Sequence, residues 1–157
     1  MRRTEQYIYR RTDLLHIYNR GNRKEEICKD IKDYVFFNNL LKKNFRDHRF
    51  DLVCFCIMPN HYHILGKQKG KPHISFVMQK IGTGYSKYIN SKYGLKGHLF
   101  QGRYKTRPIR NKDELKIVIK YILSNWHYEH NTYPWVFKNE TLINLYLEDI
   151  KEKGTTL

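Results

Sequence analysis

The sequence predicts an α+β domain, a split βαβ arrangement in which an antiparallel sheet carries helices on one face. Three observations lead there. Apolar patterning marks short strands near residues 14–18, 52–57 and 61–66. Stripes at three- and four-residue spacing mark helices near 30–47 and 74–89. The order strand, helix, strand, strand, helix, strand is that of the split βαβ unit. The chain of 157 residues has no internal repeat and no low-complexity linker, so a single domain spans 1–157, with a core at about 14–126 and a C-terminal extension at about 127–157.

Residues 1–12 are polar and basic, with Tyr7 and Tyr9 among arginines, and read as a loose arm or the lead into a strand. Leu14, Leu15, Ile17 and Tyr18 form the first strand, ended by the turn Asn19-Arg20-Gly21-Asn22-Arg23 with its two arginines. From Asp30, the residues Ile31, Tyr34, Val35, Asn38, Leu41 and Phe45 describe an amphipathic helix to about Asp47, with Lys32, Lys42 and Lys43 outside. The apolar run Leu52–Ile57 then meets Met58-Pro59-Asn60, where Pro sets φ for a tight turn and Asn tolerates the next position. Alternation on the strand that follows puts His61 and His63 on one face, a two-point metal clamp in form. For an isolated His-x-His the plainer reading is a pair on a solvated sheet face.

A second helix carries Ile74, Val77, Met78, Ile81, Tyr85, Tyr88 and Ile89 on one stripe, is weakened by Gly82 and Gly84, and closes at Gly94 and Gly97. Tyr85 and Tyr88 are core residues on this pattern. Leu99–Ile109 reads as a strand with Leu99, Gln101, Arg103, Lys105 and Arg107 on one face and Phe100, Gly102, Tyr104 and Thr106 on the other. The cationic face suits a phosphate track, or else guards an exposed sheet edge. The face of the sheet away from the helices is expected to be free for ligand. Asn111 or Asp113 caps a third helix that buries Leu115, Val118, Ile119, Ile122 and Trp126. Ile117, Tyr121 and Asn125 share another face of it; four residues rise about 6 Å, so the phenol and the carboxamide can approach one point. After Pro134, Leu142–Ile150 reads as a terminal helix.

The balance of 30 Lys+Arg against 15 Asp+Glu gives a formal charge of +15 and a pI near 9.7. Such a field draws polyanions and disfavours cationic substrates. With 13 tyrosines, many beside basic residues, the composition suits stacked bases and paired phosphates, so nucleic acid is the first partner expected. No apolar run approaches the roughly 20 residues of a membrane span, which predicts a cytoplasmic protein with no membrane partner. Three cysteines, Cys28, Cys54 and Cys56, predict reduced thiols.

Four blocks together resemble a known family: Tyr18-Asn19-Arg20-Gly21-Asn22-Arg23, Met58-Pro59-Asn60-His61-Tyr62-His63, Gly97-His98-Leu99-Phe100-Gln101-Gly102-Arg103-Tyr104-Lys105 and Tyr121-Ile122-Leu123-Ser124-Asn125. In motif order and spacing over about residues 14–126 the chain is similar to the HUH single-tyrosine transposases, and most of all to the REP-associated tyrosine transposases. The resemblance implies a ferredoxin-like fold with an additional C-terminal helix carrying the nucleophile. It also implies cleavage and rejoining of single-stranded DNA near hairpins or palindromic repeats, by a monomer or homodimer, with Mg²⁺ or Mn²⁺ and a transient 5′-phosphotyrosine. Residue by residue it makes His61, His63 and Asn125 the metal ligands and Tyr121 the nucleophile. Arg20, Arg23, Gln101, Arg103, Lys105 and Arg107 are the candidate DNA-binding residues. One departure is Trp126, where the family usually has Pro directly after the Asn.

The competing reading from another class is a non-catalytic module that binds single-stranded nucleic acid on its sheet, with histidines and tyrosines only stacking. A structural zinc site on Cys54, Cys56, His61 and His63 is a further alternative, against which both thiols read as small apolar core residues.

Overall fold

The computed structural model describes residues 14–69, 72–124 and 135–153. Its elements in chain order are β1 (Leu14–Arg20), α1 (Ile31–Asp47), β2 (Asp51–Ile57), β3 (His61–Lys67), α2 (Ile74–Tyr93), β4 (Lys105–Ile109), α3 (Lys112–Ser124), β5 (Trp135–Lys138) and α4 (Glu140–Lys153). The five strands form one sheet in the order β4-β1-β3-β2-β5, and every pairing is antiparallel. The first four strands have the connectivity of the ferredoxin-like split βαβ unit.

The helix ends follow from the caps that the sequence supplies. Asp30 and Asp33 form a capping box at the start of α1, Asn111 accepts from the Glu114 amide at 2.9 Å before α3, and α2 ends on Gly94 in the left-handed region at φ 63. The face that α1 buries is rotated from the expected one. Tyr34, Phe37, Leu41 and Phe45 are inside, whereas Ile31 and Val35 are exposed.

The rotation is set by Asp33, a carboxylate fully removed from solvent. It accepts from the Lys29 and Asp30 amides, from Lys92 Nζ at 2.7 Å, and from the hydroxyls of Tyr88 and Tyr93 at 3.0 and 2.5 Å, which ties α1 to α2. Burial by itself raises the carboxyl pKa, but Lys92, Tyr93 and the other donors outweigh it and hold it down to about 2, from 3.8. The depressed value means that this stabilisation is complete above pH 3.8 and is lost as pH falls toward 2. Asp33→Asn should therefore cost about 3 kcal/mol at neutral pH, the scale for breaking a buried pair, and should flatten the acid limb of a stability–pH profile measured by urea unfolding.

One expectation about the sheet is corrected. Its faces are both covered: α1 and α2 pack on Leu15, Ile17, Phe55, Ile57, Tyr62 and Ile64, while α3 and α4 pack on Leu14, Val53, Cys54, Cys56 and Leu65 of the opposite face. An irregularity between Leu52 and Cys54 turns both Val53 and Cys54 toward α3 and α4. What stays open on that second face is its β1–β4 side. The readings of Cys54 and Cys56 as core residues, and of Tyr85 as a buried one, agree with the structure. Tyr88 is only partly buried and stacks on Phe36 at 3.9 Å between ring centroids.

The reading of Leu99–Ile109 as one strand is also corrected. Strand pairing begins only at Lys105; before it, Phe100 makes a single bridge to Gly21, and residues 101–103 bend. The reason is register: Tyr18 pairs with Lys105 and Gly21 bridges Phe100, so the four residues 101–104 face only Asn19 and Arg20 of β1 and must bulge out of the ladder. Gly21 is required there because a Cβ would lie 2.0 Å from the Glu25 carbonyl oxygen.

Candidate active site

Strand register builds a graded face on the open side of the sheet. Lys105 lies across from Tyr18, Tyr18 across from His63, and His63 across from Cys56, so one row runs from a cationic edge to the apolar core. The next row runs Arg107, His16, Leu65, Cys54. Arg20 stands across from His61. Charged residues collect at β4, the edge strand among the described residues, and thiols collect under α3 and α4 because those helices exclude water. Burial pushes the Cys54 and Cys56 thiols up to about 12, as suits small residues packed in the core.

The turn before β3 holds the site together. Backbone amides of Ile27 and Cys28 donate to the Pro59 carbonyl at 2.7 and 3.0 Å, and the Gly21 amide donates to the Asn60 carbonyl at 2.8 Å. The loop after β1 is thereby clamped to the β2–β3 turn. Within it Arg23 and Lys24 adopt positive φ, 56 and 60, and the Asn60 side-chain amide donates to the Lys24 carbonyl at 3.4 Å. That bond leaves the Asn60 Oδ1 to accept from His61 Nδ1 at 2.7 Å. His63 Nδ1 is 3.0 Å from His16 Nε2. In both candidate ligands Nδ1 is already engaged, and Nε2 is the nitrogen that remains.

The electrostatics keep these rings neutral. Burial first, then the neighbouring His16 and His61, lowers the His63 pKa to about 3; burial and the Arg107 charge lower that of His16 to about 4; burial lowers that of His61. A neutral imidazole offers a lone pair, so this donor set fits a divalent cation.

Tyr121 comes to the same place from α3. Its ring meets that of His63 edge-on, with centroids 5.0 Å apart, and that of His16 at 6.2 Å. The side chain is 49% exposed, and with Ile117 it lies on the face of α3 away from the buried Leu115 and Ile122. The hydroxyl of Tyr85, by contrast, is buried and donates to the Ile27 carbonyl.

A cavity of about 790 Å³ brings His61, His63 and Tyr121 together with Arg20, Lys24, Gln101, Arg103 and Lys105, and among the described residues no acidic side chain lines it. Gln101 reaches it through the bent segment: its amide donates to the Arg20 carbonyl at 3.0 Å and its side chain accepts from Arg20 Nε. Of the other DNA-binding candidates, Arg23 sits in the clamped loop and Arg107 lies across β1–β4 from His16; both are exposed and neither lines the cavity. Asn125 lies outside the described residues, as do Trp126 and the basic arm with Tyr7 and Tyr9. Among the described residues no cluster of three His, Cys, Asp or Glu side chains is placed to hold a metal.

Sequence reasoning missed His16, Asn60 and Lys24 as parts of the site. A histidine inside the apolar run of β1, on the same alternation face as Tyr18, was the available signal for the first.

The family model "Transposase IS200 like" matches residues 13–125. The chain belongs to the IS200-like transposase family. Among solved structures, this transposase is similar to the REP-associated tyrosine transposase bound to a REP hairpin, with a TM-score of 0.63 and 21% identity, over 80% of this chain and 72% of that one. It is also similar to a putative transposase from Deinococcus radiodurans R1, with a TM-score of 0.53 and 16% identity, over 78% and 96% of the two chains. At these identities the likeness is one of fold. No curated protein matches the chain. Among the described residues of this transposase no helix is long and apolar enough to cross a membrane.

Proposed function

We propose that this transposase cuts and rejoins single-stranded DNA beside hairpins, with Tyr121 as nucleophile and His61, His63 and Asn125 as the residues that hold a divalent cation. The observation that carries the reading is the convergence of two neutral imidazoles and an exposed phenol in one cavity that is lined by four cations. The neighbour of like fold that is bound to a REP hairpin supports hairpin DNA as the substrate class.

Each group has a separable task. Arg20, Lys24, Arg103 and Lys105 neutralise phosphates and set the strand's path into the cavity. His61 and His63 present Nε2, and Mg²⁺ or Mn²⁺ held there would supply Lewis acidity at the scissile phosphate. Tyr121 Oη attacks phosphorus in line: the Oη–P bond forms as the P–O3′ bond breaks, the phenol proton passes to solvent water, and the departing 3′ oxygen takes one from solvent water. The energy of the broken ester stays in the phosphotyrosine, so the 3′-hydroxyl of a second strand can reverse the step without ATP.

The test is a labelled single-stranded oligonucleotide carrying a hairpin from the palindromic repeats flanking the gene. Cleavage that needs Mg²⁺ or Mn²⁺ and stops in EDTA is the expected result; tight binding without cleavage supports the binding-module reading instead. Binding itself makes a quantitative prediction. Affinity for single strands should fall with salt at about −0.7 in log–log slope per phosphate neutralised, and replacing Arg103, Lys105 and Arg107 by Ala should flatten the slope by about 2. An unchanged slope in a salt titration would return β4 to the role of a charged, protected edge.

A further inference from the structure

The geometry points to His16 and Asn60 as positioning residues that fix His63 and His61 in the tautomer whose Nε2 is bare. The inference rests on the reading of His61 and His63 as the metal-holding pair, and it concerns how the chain prepares them before any metal arrives.

For His61 the direction follows from Asn60. The Asn60 side-chain nitrogen donates to the Lys24 carbonyl, so its Oδ1 is the atom 2.7 Å from His61 Nδ1. A carbonyl oxygen only accepts, which places the ring proton on Nδ1. Because Lys24 belongs to the loop clamped by Gly21, the hydrogen bond that orients Asn60 is itself fixed by the fold.

For His63 the partner is another imidazole. Between His16 Nε2 and His63 Nδ1, 3.0 Å apart, there is room for one proton. On His16 it would leave His63 with an N–H at its remaining nitrogen, which cannot ligate; on His63 it leaves a lone pair there. The field decides between them. Arg20, Lys24, Arg103 and Lys105 line the cavity that His63 shares, and a cationic cavity favours a lone pair over an N–H dipole turned toward it. His16 is therefore the acceptor. Its position is held by the sheet: it is buried on β1, across from Leu65 on β3 and Arg107 on β4, with the Tyr18 ring 5.0 Å from its own. A hydrogen-bond partner behind a ligating imidazole fixes both ring orientation and tautomer, and its loss typically weakens metal affinity by about 10–100-fold.

The experiment uses the metal-free full chain and long-range proton–nitrogen correlation spectra of the histidine side chains at neutral pH. Wild type should show Nδ1 protonated and Nε2 bare in both His61 and His63. In His16→Leu, His63 should shift toward the opposite tautomer while His61 keeps its own, which also reports that the hairpin is intact. In His16→Gln the carboxamide oxygen can accept the same proton, so His63 should stay as in wild type. Mn²⁺ titration read by electron paramagnetic resonance should then give about 10–100-fold weaker binding for His16→Leu and near-wild-type binding for His16→Gln. Asn60→Ala should do to His61 what His16→Leu does to His63. An Nε2–H on His63 in wild type, or Mn²⁺ binding by His16→Leu as tight as wild type, overturns the inference. Tautomers as stated in a wild-type protein that binds no Mn²⁺ would uphold the positioning roles and remove the metal reading instead.

Discussion

Tyr121→Phe should abolish the covalent protein–DNA adduct while leaving binding of hairpin DNA intact. The substitution removes one oxygen from a side chain that is half exposed and keeps the ring that packs on His63, so stability should change by less than about 0.5 kcal/mol. Chemistry should fall by up to about 10⁶-fold, the scale seen when a covalent enzyme loses its nucleophile. The measurement is digestion of the protein after reaction with labelled hairpin substrate and Mg²⁺ or Mn²⁺, with the nucleotide-bearing peptide located by mass spectrometry. Of the 13 tyrosines, Tyr121 alone should carry the 5′-phosphate. The structure names the strongest competitor: Tyr18 lines the same cavity, with its ring centroid 5.7 Å from that of His63. An adduct on Tyr18, Tyr85, Tyr88 or Tyr128 would displace the assignment and leave the family standing.

His61→Ala and His63→Ala should each lower cleavage by about 10²–10³-fold, the usual cost of removing an electrostatic stabiliser of the transition state. Single-stranded DNA affinity should hold in both, since Arg20, Lys24, Arg103 and Lys105 carry the phosphate contacts in the proposed arrangement. The two variants should differ in stability. His63 is buried between His16 and Tyr121, and its loss leaves the His16 nitrogen without that partner; His61 is less enclosed. Thermal unfolding of the pair checks this ordering. Wild-type turnover in excess EDTA would sink the metal reading, and full activity in either variant would remove that histidine from the site.

Much of this protein follows from local pattern. Alternation placed His61 and His63 on one face of β3, and the spacing of Leu115 and Ile122 against Ile117 and Tyr121 placed the proposed nucleophile off the buried side of α3. Caps at Asp30, Asn111 and Gly94 mark helix ends near where periodicity sets them. Such features depend on residues within one or two turns or one strand, so the chain alone suffices to read them.

What only the tertiary structure decided are the relations between elements far apart in sequence. Ile31 and Val35 fit the apolar stripe of α1, yet a buried Asp33, held by Lys92, Tyr88 and Tyr93 of α2, turns the helix so that Phe37 goes inside and they do not. The run Leu99–Ile109 alternates like a strand, but residues 101–104 face only Asn19 and Arg20 of β1, so the ladder breaks into a bulge; Gln101 and Arg103 therefore reach the cavity from a bend. Which face α3 would cover depends on its crossing behind the sheet, and β5 is too short at four residues to announce itself by pattern. The hydrogen bond between His16 and His63 spans 47 positions and exists only because β1 and β3 pair in one register. A shift of one residue would send His16 to the face under α1 and α2, bring Leu15 and Ile17 to the site face, and leave His63 without its partner.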